Sequence, residues 1–172
     1  MPSDIDPADL DETPKAGETP ANHAVRVAGD KAAAVAQRHP GRFILAADTV
    51  VACGRRILPK AEDEATARRC LTLLSGRRHR VHGGLVLLAP DGRVSSRHVE
   101  TSVVLKRLTD QEIAWYIASG DWAGKAGGYA IQGLAARFVR EIIGSYSNVV
   151  GLPLFETSQL LTGAGLIRTD HP

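Results

Sequence analysis

An α/β fold in a single domain is predicted by three observations. Apolar residues recur at helical spacing in some stretches, while elsewhere they run together in blocks of strand length bounded by turn residues. The interior they build is aliphatic, since 44% of the residues are hydrophobic and only 5% aromatic. A chain of 172 residues with no linker is long enough for one sizeable core, so residues 1–172 are expected to fold together. Only the acidic start and the end "GLIRTDHP" read as loosely held termini.

Thr19-Pro20 reads as a cap and first helical residue, and Ala24, Val25, Ala28, Ala32, Val35 and Ala36 continue at helical spacing until Pro40-Gly41. Residues 43–52 are short, continuous and apolar, as in a strand buried on both faces of a parallel or mixed sheet. Asp48 falls in this strand, near its expected carboxyl end, where open α/β sheets bind ligands. Residues 63–74 predict a second helix that Gly76 stops, and "VHGGLVLLAPDGRVSSRHVETSVVL" predicts two strands turned at Pro90-Asp91-Gly92. Thr109 and Glu112 have the spacing of a capping box ahead of Ile113, Tyr116 and Ile117. A glycine-rich loop comes next, then a strand near 136–143 and a last helix opened by Pro153.

The formal net charge of +2 gives little reason to expect nucleic acid or a membrane surface as partner, and no apolar stretch approaches the roughly 20 residues of a membrane span. The start lacks the apolar segment of a signal peptide, and Cys53 and Cys70 have neither metal nor redox spacing, so a soluble cytoplasmic protein is expected. A nucleic-acid reading through Arg55, Arg56, Arg68, Arg69, Arg77, Arg78 and Arg80 lacks stacking aromatics nearby. His79 and His82, three apart in a strand, face opposite sides and share no metal, and "GRRHR" (76–80) reads as a solvated connection.

Taken alone, Asp48 would more often satisfy turn amides, Glu12 in "DETP" would be a solvated acid, and Lys31 and Lys60 would be surface lysines. Together the two carboxylates could hold a hard divalent cation through oxygen, and the two lysines could grip a metal-bound polyphosphate. In "GKAGGYAIQG" (124–133) four glycines let backbone amides approach a ligand, and the planar amide of Gln132 suits a base edge. A flexible surface loop is the plainer reading of the same stretch.

In their order and spacing, "DIDPADLDETP", "KAAAVA", "AADTVV", "LPKAEDEATARRCLTLLSGRRHRV", "GKAGGYAIQG" and "NVVGLPL" resemble the Maf family of nucleoside triphosphate pyrophosphatases over about residues 4–163, leaving 164–172 as a tail. The resemblance implies a curved, mixed sheet flanked by helices around a deep cleft (Maf/ITPase-like). It implies Asp48 as proton acceptor, Glu12, Lys31 and Lys60 as its companions at the phosphates and metal, and Thr49 and Gln132 in substrate choice. It also implies a magnesium or manganese ion held near Glu12 and Asp48, a nucleoside triphosphate substrate and, in many members, a homodimer. "KAGGYAIQG" with "NVVGLPL" resembles the branch that cleaves dTTP and UTP. The alternatives are the branch acting on 7-methyl-GTP and a non-catalytic nucleotide-binding regulator of cell division or septum formation.

Three departures stand out. The chain starts at what would be the family's second strand, at residues 4–6, without the usual Ser-x-Ser-Pro-Arg-Arg segment and its phosphate-holding arginine. A chain extended upstream is therefore expected to be more stable and more active. Gly83 stands where a threonine is common, and Pro59-Lys60 reverses the usual order.

Overall fold

The structure, a computed structural model, describes residues 4–167. Helix α1 (Pro20–Arg38) leads into strand β1 (Ile44–Cys53), which turns at Gly54 into the short β2 (Arg56–Leu58). Helix α2 (Glu64–Leu74) precedes the long hairpin of β3 (Arg78–Leu88) and β4 (Val94–Leu105). Helix α3 (Asp110–Ser119), a 3-10 turn (Leu134–Phe138), β5 (Val139–Ile143), α4 (Tyr146–Val150) and α5 (Leu154–Gly163) complete the chain.

The local signals act where the residues place them. Thr19 caps α1 by accepting from the Asn22 amide, and the Thr109–Glu112 capping box forms in both directions at α3. Asp91 accepts from the Arg93 amide and Gly92 takes a positive φ of 84°, closing the hairpin.

The five strands lie in the order β2-β1-β3-β4-β5. A mixed sheet was expected, but every pairing among the described strands is antiparallel. A strand buried on both faces reads as a continuous apolar run in either direction, so its composition does not encode the direction. The α/β character rests instead on helices covering both faces. Ala28 and Ala32 of α1 pack on Ile44 and Val86, while Leu71 and Leu74 of α2 and Tyr116 of α3 pack with Val51, Val81 and Val103 on the other side. Leu160 of α5 joins that second side at Leu85 and Leu87. A β-carbon at Gly84 would overlap the Ala24 carbonyl, so glycine there is what lets α1 lie close on β3.

The remaining corrections are local. Residues 4–6 form no strand; the segment is tied down by ion pairs of Asp6 with Arg38 (2.8 Å) and of Asp4 with Arg42 (3.0 Å), so it is not a loose start. Residues 1–3 and 168–172 of the expected loose ends lie outside the described residues. Helix α4 was not expected. Its Asn148 is fully buried, and its amide donates to the carbonyls of Val81 (3.2 Å) and Val99 (3.3 Å), pinning α4 onto β3 and β4. Gly83 makes room for it, because a β-carbon there would overlap Asn148 Oδ1.

Candidate active site

Asp48 is the fifth residue of the ten-residue β1, not at its carboxyl end. An antiparallel sheet has no common carboxyl edge, and the opening arises differently. Strand β2 pairs only with Val51, Ala52 and Cys53, so the first part of β1 has no strand on its outer side. Asp48 sits in that stretch, 7% exposed, with its side chain on the face that α1 covers.

Lys31 comes from the same helix turn as the buried Ala28 and Ala32. Its ammonium donates to Asp48 Oδ1 at 2.7 Å and lies 2.7 Å from Glu12 Oε1. The other Glu12 oxygen is 2.5 Å from Lys60 Nζ. Four charges from a loop, a helix, a strand and a second loop thus alternate along one chain of contacts. Burial pulls the Lys31 ammonium down, but its bonds to Asp48 and Glu12 outweigh that and raise its pKa. Burial likewise pushes the Glu12 carboxyl up, and the two lysines overcome it and hold it below its usual range.

Glu12 is aimed by a bracket that the sequence did not reveal. Arg26 Nη2 donates to the Thr13 carbonyl (3.2 Å), Arg26 Nε pairs with Glu18 (2.7 Å), and Glu18 also bonds His23 (3.0 Å) and the Lys15 amide (3.0 Å). The Arg26 hydrogen bond holds the Glu18 carboxyl far below its ordinary range, so this bracket stays charged. Nothing in composition separates Arg26 from a surface arginine.

A cleft of about 250 Å³ opens beside this network. Lys31, Asp48 and Lys60 line it with charge, and Lys125, Tyr129, Ala130 and Gln132 of the glycine-rich stretch line it as well, together with Thr49, Val149 and Val150. Glu12 stands behind the lysines, outside the wall. The two groups are stitched together, since Lys60 and Ala126 form a β-bridge and Gly127 donates to the Pro59 carbonyl at 3.0 Å. The reversed Pro59-Lys60 order therefore sits in a backbone clasp, where the Pro59 carbonyl is used and no amide is asked of Pro59. Lys125, quoted within the glycine-rich stretch but not singled out, adds a cation to the wall.

Thr49 Oγ1 makes one long contact with the Gly151 carbonyl, 3.5 Å. The Gln132 side chain is exposed at the cleft, and no hydrogen bond among the described residues occupies its amide. His79 and His82 face opposite sides as expected: His79 bonds Tyr129 and His82 stacks on His98. Within "GRRHR" the arginines are exposed, but His79 is 1% exposed, so the solvated reading fails for that residue.

Asp48 and Glu12 are the kind of oxygen donors a hard divalent cation takes, but in this structure lysines hold both Glu12 oxygens and one Asp48 oxygen. Asp48 and Glu12 converge on one ammonium, and among the described residues no cluster of three or more His, Cys, Asp and Glu stands ready for a metal. Magnesium and manganese suit such a place, because one or two carboxylates suffice when phosphates and water complete the shell. The four network charges cancel, which leaves Lys125 as a cation of the wall with no carboxylate partner among the described residues.

Comparison with known proteins shows the family to which the chain belongs. The family profile described as Maf-like protein matches residues 1–164. A dTTP/UTP pyrophosphatase from Paramagnetospirillum magneticum is 72% identical over 165 residues, covering 96% of this chain and 87% of that protein. A dTTP/UTP pyrophosphatase of Rhodospirillum rubrum is 63% identical, covering 96% of this chain and 79% of that protein. One from Caulobacter vibrioides is 61% identical, with 95% and 85% covered.

Proposed function

The chain belongs to the Maf-like protein family, and from that premise we propose that it is a nucleotide pyrophosphatase that hydrolyses dTTP and UTP to the nucleoside monophosphate and pyrophosphate. The observation that carries the reading is the Glu12–Lys31–Asp48 network at the mouth of a cleft whose wall presents Gln132.

Lys31 takes Asp48 Oδ1, and no hydrogen bond among the described residues uses Oδ2, which is left to orient a water. That water attacks the α phosphorus; its oxygen bonds to phosphorus, its proton passes to Asp48, and the bond from the α phosphorus to the bridging oxygen breaks with that oxygen leaving on pyrophosphate. Lys60 and Lys125, from the two stitched segments of the clasp, meet the charge that builds on the leaving group. Glu12 holds both Lys31 and Lys60 in place. A divalent cation held near Glu12 and Asp48 would supply electrostatic stabilisation of the phosphate oxygens.

Gln132 offers a donor and an acceptor on one plane; with its oxygen toward N3–H and its nitrogen toward O4 it matches the edge of thymine and uracil, whereas cytosine, where the polarity at both positions is exchanged, requires the amide turned over. Two further readings complete the proposal. No helix among the described residues is long and apolar enough to cross a membrane; a cytoplasmic place is the one that suits an enzyme of soluble nucleotides. The exposed Ile143, Tyr146, Val150, Leu154 and Phe155 support a homodimer.

The test is a screen of nucleoside triphosphates for pyrophosphate release with magnesium or manganese. Fastest turnover on dTTP and UTP is expected; faster turnover of 7-methyl-GTP would move the chain to the other branch, and nucleotide binding without any turnover would favour a regulatory role.

A further inference from the structure

The glycine-rich wall needs something to hold its shape. Gly127 and Gly128 both have positive φ, 68° and 72°, conformations that glycine adopts freely and that do not by themselves fix the residues after them. The next residue is Tyr129, 6% exposed, with its hydroxyl turned away from the cleft into the core. There it meets His79 Nε2 at 2.7 Å, with the two rings edge to face at 86°. One residue on, the Ala130 amide donates to the hydroxyl of Tyr116 at 3.2 Å. Beyond Gln132, the Leu134 amide donates to Asp121 Oδ2 at 2.8 Å.

His79 is an unusual choice for this place. It is 1% exposed, and its second nitrogen, Nδ1, is buried with no hydrogen-bond partner. Burial pushes its pKa down to about 4, so the ring is neutral near pH 7. Burial also raises the Tyr129 hydroxyl, which therefore keeps its proton. An apolar side chain of similar size would leave no nitrogen unsatisfied, so packing alone favours one. What the imidazole provides in return is a fixed point for Tyr129.

We propose that His79 is a positioning residue for substrate choice: by holding the Tyr129 hydroxyl it fixes the backbone of residues 129–132 and so sets Gln132 at the height at which it reads the base. This rests on the pyrophosphatase reading above. His79 touches no substrate; it acts through Tyr129. The coupling also explains why a histidine on β3 and a tyrosine 50 residues later are joined at the back of the cleft.

The experiment measures kcat and KM for dTTP, UTP and CTP, together with Tm, in the unaltered protein, His79→Phe, His79→Gln, Tyr129→Phe and the double variant His79→Phe/Tyr129→Phe. Losing one buried hydrogen bond corresponds to roughly three- to tenfold. His79→Phe and Tyr129→Phe are each expected to lower the preference for dTTP over CTP by about that factor, with KM for dTTP moving more than kcat. The double variant should lose no more than either single variant, because both break the same bond. His79→Gln, whose amide reaches near the position of Nε2, should recover part of the preference. An unchanged preference with a lowered Tm would overturn the proposal and leave His79 a packing residue, as would additive effects in the double variant. If His79→Phe does not fold, Tyr129→Phe breaks the same bond from the other side and decides the matter. Absence of dTTP and UTP hydrolysis in the unaltered protein would instead overturn the pyrophosphatase reading itself, and this inference with it.

Discussion

In the charged part of the cleft, side chains from four segments hold one another: Lys31 bonds both Asp48 and Glu12, and Glu12 also bonds Lys60. In the glycine-rich part the exposed side chain at the cleft, Gln132, is bonded to nothing described, and the order comes from behind, through Tyr129 on His79 and the Ala130 amide on Tyr116. The first part is preorganised by attraction between its own working groups, which suits chemistry dominated by electrostatics. The second keeps its working amide unpaired, so that a base can satisfy it, and puts rigidity into groups the base never touches. Removing a group from the first should therefore cost rate, and removing one from the second should cost discrimination.

The largest effect is expected from Asp48→Asn, which removes the proton acceptor but keeps the size of the side chain. A fall in kcat of about 100- to 10,000-fold is expected, with nucleotide binding by calorimetry largely kept. Turnover near that of the unaltered protein would break the division of labour at its strongest point.

The next effect separates the two parts by pH. His79 is held at about 4 against an ordinary value of 6.5, so the unfolded chain takes up its proton first as the pH falls. The stability tied to neutral His79 is complete above about pH 6.5 and is lost between there and pH 4, on the order of 3 kcal/mol in all. His82, lowered by burial and then by its neighbour His98, acts in the same direction. Glu12, whose pKa is lowered from 4.5, adds its share only at more acidic pH. Thermal unfolding from pH 7 to 4 should thus fall less steeply in His79→Phe than in the unaltered protein.

The smallest effect is expected from Gln132→Ala. An exposed amide contributes little to stability, so Tm should stay within about a degree, while the preference for dTTP and UTP over CTP drops by roughly tenfold. A large loss of kcat without a change in preference would place Gln132 with the charged part.

Much of the fold was legible because its signals are local. The Thr19-Pro20 start, the Thr109–Glu112 box and the Asp91-Gly92 turn act within four residues, and β1 begins and ends one residue from where its apolar run does. The direction of the sheet was not legible, since pairing of β1 with β3 joins residues far apart in the chain. Helix α4 is five residues long and depends on the Asn148 amide reaching two other strands, which no short window contains. In the site, Asp48, Glu12, Lys31 and Lys60 stood out only as a set, and resemblance to a family gave them roles, because each alone reads as an ordinary surface or turn residue. Arg26 and Lys125 were passed over, and His79 was read as solvated, for a physical reason: what distinguishes them is a partner 13 residues away, a wall, and a buried hydroxyl, all set by the tertiary structure.

The central claim is that the charged part of the cleft directs water onto the α phosphorus. It is tested most directly by hydrolysing dTTP in 18O-labelled water and locating the label by mass spectrometry. The account predicts one labelled oxygen in the phosphate of dTMP and none in pyrophosphate. Label in the pyrophosphate, with dTMP unlabelled, would place the attack on the β phosphorus and contradict it.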